Sequence, residues 1–300
     1  MDPTFRPGTL DDLDAAYEVF TRTTADLERR TGTPDAENDW LDPAFVAAFW
    51  RRRRPLFEHL TVHANGFWVA ERRGRIVGYA RASCQDGVRE LNEFFVLPEH
   101  QNGGIGRDLL ARAFPTGGAR RRAVIGTTDV RALARYLKAG VYPRFPIYAL
   151  SGTPRPIEIA TDLAAAAAGT EAIDALREID RAVLGFARDA DHAFLLRERP
   201  VRLFRRAGRV VGYGYFGRGT GPIALLDPAD FPAVLARGEA EAAARGEEEF
   251  GMNVPLVNRD AVDHLLGRGF RLEDFTVLFL SDEAFGRFEH YIVSTPDFFV

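Results

Sequence analysis

The sequence predicts an α/β protein of the α+β kind, a mixed sheet with helices on it, built twice in tandem. Three observations carry this. The chain has 300 residues, twice a common domain length of about 150. Segments recur in order: Gly74-Arg75-Ile76-Val77-Gly78-Tyr79 returns 134 positions later as Gly208-Arg209-Val210-Val211-Gly212-Tyr213. Val96-Leu97-Pro98 matches Leu226-Asp227-Pro228 at 130, and Asp129, Ala132, Tyr136, Gly140 and Val141 match Asn258, Ala261, Leu265, Gly269 and Phe270 at 129. Finally, apolar periodicity alternates between helical and strand-like spacing within each copy. The Pro-rich stretch Ser151–Pro156 marks the junction, giving domains 1–151 and 152–300.

The elements of the first copy follow in order. Thr9 caps a helix carrying Leu13, Ala16, Tyr17 and Phe20 at helical spacing. Asp42-Pro43 starts a second helix, proline being tolerated in the first turn. Phe67–Ala70 and Ile76–Ala80 form a hairpin around Arg72–Gly74, and Asp86-Gly87 turns the chain into a strand from Val88 to Val96. A glycine loop and a helix from about Gly104 to Phe114 come next. Arg122–Thr127 reads as a buried strand and Val130–Ala139 as a helix stopped at Gly140. In the second copy, the apolar segment from Tyr291 to Val300 is expected to dock as a strand.

Composition narrows the function. Hydrophobic residues at 46% and charged residues at 27% are globular values, and no apolar run reaches the roughly 18 residues of a membrane span. A lone cysteine, Cys84, makes no internal disulfide and fits a reducing, cytoplasmic setting. Residues 1–150 carry net charge +3 and residues 151–300 carry −7. Neither half has the basic excess of a nucleic-acid binder, and an anionic ligand belongs on the first. His59 and His63 lack a third ligand, so no metal is expected. Arg51-Arg52-Arg53-Arg54 reads as a solvated helix end, and Cys84 as a packing residue.

The most specific segment runs Val96-Leu97-Pro98-Glu99-His100-Gln101-Asn102-Gly103-Gly104-Ile105-Gly106-Arg107. It takes a strand through a glycine turn directly into a helix. A helix start has unpaired N–H groups and a partial positive charge, which suits phosphate. The Walker lysine is absent, and the glycine spacing is not the dinucleotide fingerprint. The segment resembles the acyl-CoA loop of the GNAT superfamily of N-acetyltransferases, with Val96, Pro98, Gln101, Gly104 and Gly106 on its pattern. The resemblance implies two tandem GNAT-like acyl-CoA N-acyltransferase domains, with acetyl-CoA as cosubstrate and a small-molecule amine as acceptor. It implies that backbone N–H groups of Asn102, Gly103, Gly104, Ile105, Gly106 and Arg107 hold the pyrophosphate, with Gln101 in the same site. The strand edge at Phe95 and Val96 would pair with pantetheine, and Asp129 would complete the set.

Acyl transfer to an amine needs a base for the ammonium proton and an acid for the leaving thiolate. Asp129-x-x-Ala132-x-x-x-Tyr136 resembles the family's Asn-x-x-Ala-x-x-x-Tyr helix, although aspartate replaces its asparagine and Val141 its aromatic residue. The resemblance makes Tyr136 the general acid. Strict alternation puts Glu90, Asn92, Phe94 and Val96 on one strand face, and Leu91, Glu93 and Phe95 on the other. The family's base positions fall on Glu90 and Asn92, so Glu90 is preferred with Asn92 holding a water. A bulge would favour Glu93.

The second copy has Ala233, Val234 and Ala236 at the glycine positions and Leu265 at that of Tyr136, so it reads as a degenerate copy. It is expected to complete the substrate cleft or stand in for a dimer partner, in a monomer or homodimer that engages no nucleic acid and no membrane. The alternative is a non-catalytic acyl-CoA sensor or partner module.

Overall fold

The computed structural model describes residues 2–32, 39–217 and 219–296. Contacts divide the chain into two compact units, residues 1–142 with 280–283 and residues 143–279 with 284–300. The first division falls one strand ahead of the junction expected at residue 152. No helix among the described residues is long and apolar enough to cross a membrane.

The first unit contains β1 (Thr4–Pro7), α1 (Leu13–Thr31), α2 (Pro43–Val62), β2 (Ala64–Arg72), β3 (Arg75–Gln85), β4 (Val88–Val96), α3 (Ile105–Ala113), β5 (Arg121–Thr127) and α4 (Val130–Lys138). Its strands lie in the order β1-β2-β3-β4-β5. All pair antiparallel except β4 with β5, so the sheet is mixed. The edge strand β1 has no counterpart in the sequence reading, because four residues ending in proline carry no period of their own. The Asp42 carboxylate accepts from the N–H groups of Ala44 and Phe45 and starts α2. That helix continues through Pro55, which places Arg51–Arg54 mid-helix rather than at an end. Arg52 and Arg53 each lie 5.2 Å from the Phe49 ring centroid. Tyr17, Phe20, Phe49 and Phe57 form an aromatic layer, and Phe20 meets Phe95 of β4 edge-on at 5.2 Å.

The second unit contains β6 (Tyr142–Gly152, its first residue in the first unit), β7 (Ala164–Ala168), α5 (Ile173–Val183), α6 (Asp189–Glu198), β8 (Val201–Arg206), β9 (Arg209–Tyr215), β10 (Ile223–Leu225), α7 (Phe231–Ala244), β11 (Phe250–Pro255), α8 (Arg259–Gly267), β12 (Arg271–Ser281, its last two residues in the first unit) and β13 (Tyr291–Ile292). One sheet runs β13-β10-β9-β8-β7, and β6 lies between β12 and β11. Of the strand expected over Tyr291–Val300, β13 covers Tyr291–Ile292 and Val293 makes a single bridge, residues 294–296 are not strand, and residues 297–300 lie outside the described residues.

The repeat is visible in hydrogen bonding. Arg73-Gly74 and Ala207-Gly208 both have positive φ at both residues, the left-handed pair that closes a two-residue hairpin. The bond Leu97 N–H to Val77 O (2.9 Å) recurs as Leu226 N–H to Val211 O (2.8 Å). Gly78 and Tyr79 face Val96 and Phe95, as Gly212 and Tyr213 face Leu225 and Ala224. This register sets Val96-Leu97 over Leu225-Leu226, one residue from the match read in the sequence. An extra residue enters before Pro228.

The second unit buries a charged cluster. The Asp180 carboxylate meets Arg188 Nε at 2.9 Å and His192 Nε2 at 2.8 Å, and accepts from the Tyr213 hydroxyl. Burial alone would raise the Asp180 carboxyl, but the charge of Arg188 and the contact with His192 hold it well below the usual range. A depressed carboxyl stabilises the fold above its unfolded value and loses that contribution as pH falls toward the folded one. Asp180→Asn leaves Arg188 buried without its counter-charge. It should cost about 3–5 kcal/mol in urea unfolding and remove part of the acid sensitivity below about pH 4. An unchanged midpoint would contradict this.

Candidate active site

Strand β4 does not alternate throughout. Arg81 faces Glu93, but the next partners are Ala82 and Leu91, so Asn92 is an extra, bulged residue. Cross-strand partners share a face. Glu90 faces Ser83, Glu93 faces Arg81 and Phe95 faces Tyr79. Glu90, Glu93 and Phe95 therefore share one face, with Leu91 and Phe94 on the other. This corrects the strict alternation that separated Glu90 from Glu93. A bulge bends its strand and interrupts pairing. Parallel pairing of β4 with β5 runs only from Val88↔Arg121 to Leu91↔Val124, and from Asn92 onward β4 has no ladder partner on β5.

The two glutamates are differently placed. The Glu93 carboxylate meets Arg81 Nη1 at 2.7 Å and accepts from the Tyr79 hydroxyl at 2.8 Å, and the side chains of Arg81 and Glu93 are fully buried. Burial pushes the Glu93 carboxyl up, against the pull of Arg81 and Tyr79. Arg81 also donates to Phe57 O (3.1 Å) and stands 4.4 Å from the Phe67 ring centroid. Glu93 is thus tied into a buried ion pair. Glu90 and Asn92 are also buried, at 7% and 8% exposure.

Tyr136 lies on the Phe94 side. Its ring is 6.2 Å from that of Phe94, centroid to centroid. A Cβ on Gly126 of β5 would stand 2.8 Å from Tyr136 Cε2, so only glycine leaves room for this ring. Burial, with the nearby charge of Asp129, raises the phenol far above its ordinary value. Its hydroxyl makes no hydrogen bond among the described residues.

The glycine loop ends at Gly104, the N-cap of α3. Asn102 and Gly104 have φ of 68° and 85°. Among the described residues, no backbone N–H from Asn102 through Arg107 donates to a protein acceptor. Gly106 lies close to Phe94, whose Cζ would be 3.0 Å from a Cβ there. At Gly103 the nearest atom to a Cβ would be His100 O at 3.8 Å, so packing does not demand glycine. Gln101 has a tying role that sequence did not suggest. Its Nε2 donates to Val96 O (3.0 Å) and its Oε1 accepts from Arg131 of α4 (2.9 Å). Asp129 caps α4 through Arg131 N–H (3.1 Å) and pairs with Arg30 of α1 (3.0 Å). Arg30, Tyr79, Arg81 and Arg131 escaped the sequence reading. Only Arg81, a charge inside an apolar strand, left a signal there.

The corresponding place in the second unit is filled by side chains. Asp227 accepts from Ala229 N–H (3.0 Å), and Asp230 pairs with Arg206 (2.8 Å). Phe231, Val234 and Leu235 of α7 are buried, as is Leu265 at the position of Tyr136.

Gly126→Ala tests the seat of the tyrosine. Overpacking here should cost about 1–3 kcal/mol in thermal unfolding and shift the Tyr136 ring resonances. Wild-type stability with unmoved resonances would show the close approach to be unimportant.

Comparison with known proteins agrees with this geometry. Residues 63–142 match the family description "Acetyltransferase (GNAT) domain". A mycothiol acetyltransferase from Streptomyces bingchenggensis is 34% identical over 119 residues, which are 36% of this chain and only 30% of that protein. A candidate acetyltransferase from Pyrococcus horikoshii superposes with TM-score 0.70 at 15% identity, over 97% of this chain and 93% of its own. A GCN5-related N-acetyltransferase from Sphaerobacter thermophilus gives 0.59 at 14%, over 95% and 96%. A tandem GNAT protein from the clavulanic acid biosynthesis pathway gives 0.55 at 13%, over 93% and 98%. Residues 63–142 thus match the GNAT acetyltransferase domain family, and the chain has the fold of tandem GNAT proteins.

Proposed function

We propose that the first unit transfers an acetyl group from acetyl-CoA to a primary amine of a small acceptor. The observation that carries this reading is the run of N–H groups from Asn102 to Arg107 that donate to no acceptor among the described residues, at the end of a strand that has parted from its neighbour. Six such groups at a helix start make an anion site suited to a pyrophosphate. The stretch of β4 beyond its last ladder pair with β5 suits an extended amide chain such as pantetheine, as a strand edge accepts another strand. Glycine at position 103, which packing does not require, lets a ligand approach the backbone.

The protonated amine gives up a proton to Glu90 through a water. Its nitrogen lone pair attacks the thioester carbonyl carbon, the C–S bond breaks, and the departing thiolate takes the Tyr136 hydroxyl proton. The nitrogen passes its second proton through water to the tyrosinate, Glu90 returns the first to solvent, and amide and free thiol result. Glu93 is better suited to position than to react, since its carboxylate is held by Arg81 and Tyr79. Gln101 and Asp129 support the site by holding Val96 and α4. The raised phenol stays protonated, and able to donate, through the ordinary tyrosine value near pH 10.

A thiol-release assay over a library of small amines tests this. Turnover should appear with at least one amine. Tyr136→Phe should lower kcat by about 10²–10⁴-fold while leaving acetyl-CoA affinity unchanged. Glu90→Gln should lower kcat while leaving acetyl-CoA affinity unchanged. Saturable acetyl-CoA binding without thiol release from any amine would favour a sensor and overturn the catalytic reading.

A further inference from the structure

The second unit keeps the strand break of the first and fills it with its own chain. The shared register sets Ile223, Ala224 and Leu225 of β10 over Phe94, Phe95 and Val96 of β4. By the same order of elements, β11 stands for β5 and α8 for α4. In the first unit the edge of β4 beyond Asn92 has no partner on β5. In the second, that edge is taken by β13: Ile223 faces Ile292 and Ala224 faces Tyr291, antiparallel. The next residue of the segment bridges to the other side of the gap, where Val293 pairs with Asn253 of β11 and its N–H donates to Asn253 O (3.2 Å).

The fit is built in from several sides. Tyr291, Ile292, Val293 and Ser294 are fully buried. Gly219 and Gly221 admit the segment, since a Cβ there would stand 2.6 Å from Thr295 O and 2.3 Å from Val293 O. Arg199 binds the carbonyls of Gly219 (3.1 Å), Gly221 (2.7 Å) and Thr295 (3.1 Å) together. Asn258, at the position of Asp129, caps α8 through Ala261 N–H and donates from its other atom to Tyr291 O (3.1 Å). Ile292 shares a core cluster with Leu265, which stands where Tyr136 stands.

We propose that the gap between β10 and β11 is a peptide-binding cleft descended from a cosubstrate slot, and that residues 290–295 are its resident ligand. The proposal rests on reading the gap in the first unit as the place of the cosubstrate arm. A strand of the same chain supplies the backbone donors and acceptors that an extended amide ligand would otherwise supply, and Ile292 replaces the acyl end with a core side chain. Occupancy by this segment and the filled start of α7 are independent reasons for the second unit to refuse acetyl-CoA.

Hydrogen–deuterium exchange tests it on the full chain and on a chain lacking residues 287–300. Removal should speed exchange in segments 221–226 and 250–255 by about tenfold or more, and a synthetic peptide of residues 287–300 should restore protection where a scrambled peptide does not. Arg199→Gln gives a milder form in case the shortened chain fails to fold. It should loosen 219–226 and 290–296 while α5 and β8 keep their protection. No change in these segments, no response to Arg199→Gln, or no rescue by the peptide would overturn the proposal. Acetyl-CoA added to the intact chain should protect 92–96 and 102–107 alone. If it protects neither, the reading of the first unit fails, while the peptide rescue still reports on the second. Protection of 221–226 by acetyl-CoA would also overturn the proposal.

Discussion

A strand that leaves its neighbour exposes backbone N–H and C=O groups that must find partners, and this requirement shapes both units. In the first, the bulge at Asn92 ends the pairing of β4 with β5 after Leu91↔Val124. The released edge leads straight to N–H groups that no acceptor among the described residues satisfies. Gly106 and Gly126 then let Phe94 and Tyr136 close against that edge. In the second, the same requirement is met from within by β13. One architecture thus yields an open slot where the loop keeps its glycines and a closed one where side chains have taken their place.

Both units also bury charge against a tyrosine at a matched position of the sheet. Tyr79 donates to Glu93 in one, and Tyr213 donates to Asp180 in the other. Removing one member of such a pair is far more costly than replacing the whole, because an uncompensated charge remains buried. This constraint separates the two glutamates of β4. Glu93 belongs to the buried network with Arg81 and Tyr79, and the proposed mechanism gives the base role to Glu90.

Legibility in the sequence followed from how local each signal is. The hairpins at Arg73-Gly74 and Ala207-Gly208 need two left-handed residues, so they leave a short pattern that repeats. The loop from Gln101 to Arg107 was readable because strand, glycines and helix start adjoin in the chain. The bulge was not, since an extra residue exists only relative to a partner strand, and without it Glu90 and Glu93 fall on opposite faces. Strand β1 was too short to show a period. Arg51–Arg54 looked like a helix end because Pro55 follows, yet α2 carries that proline in its interior. The apolar segment at Tyr291 announced a buried strand but not its partners, which lie 40 to 69 residues back in the chain.

The central claim is that the two copies are unequal, with one open cosubstrate slot per chain. Isothermal titration of the intact protein with acetyl-CoA measures this directly. The account predicts saturable binding of one molecule per chain, abolished by Gly104→Val, whose side chain would enter the loop at a left-handed position. Two molecules per chain, or one molecule whose binding survives Gly104→Val, would contradict it.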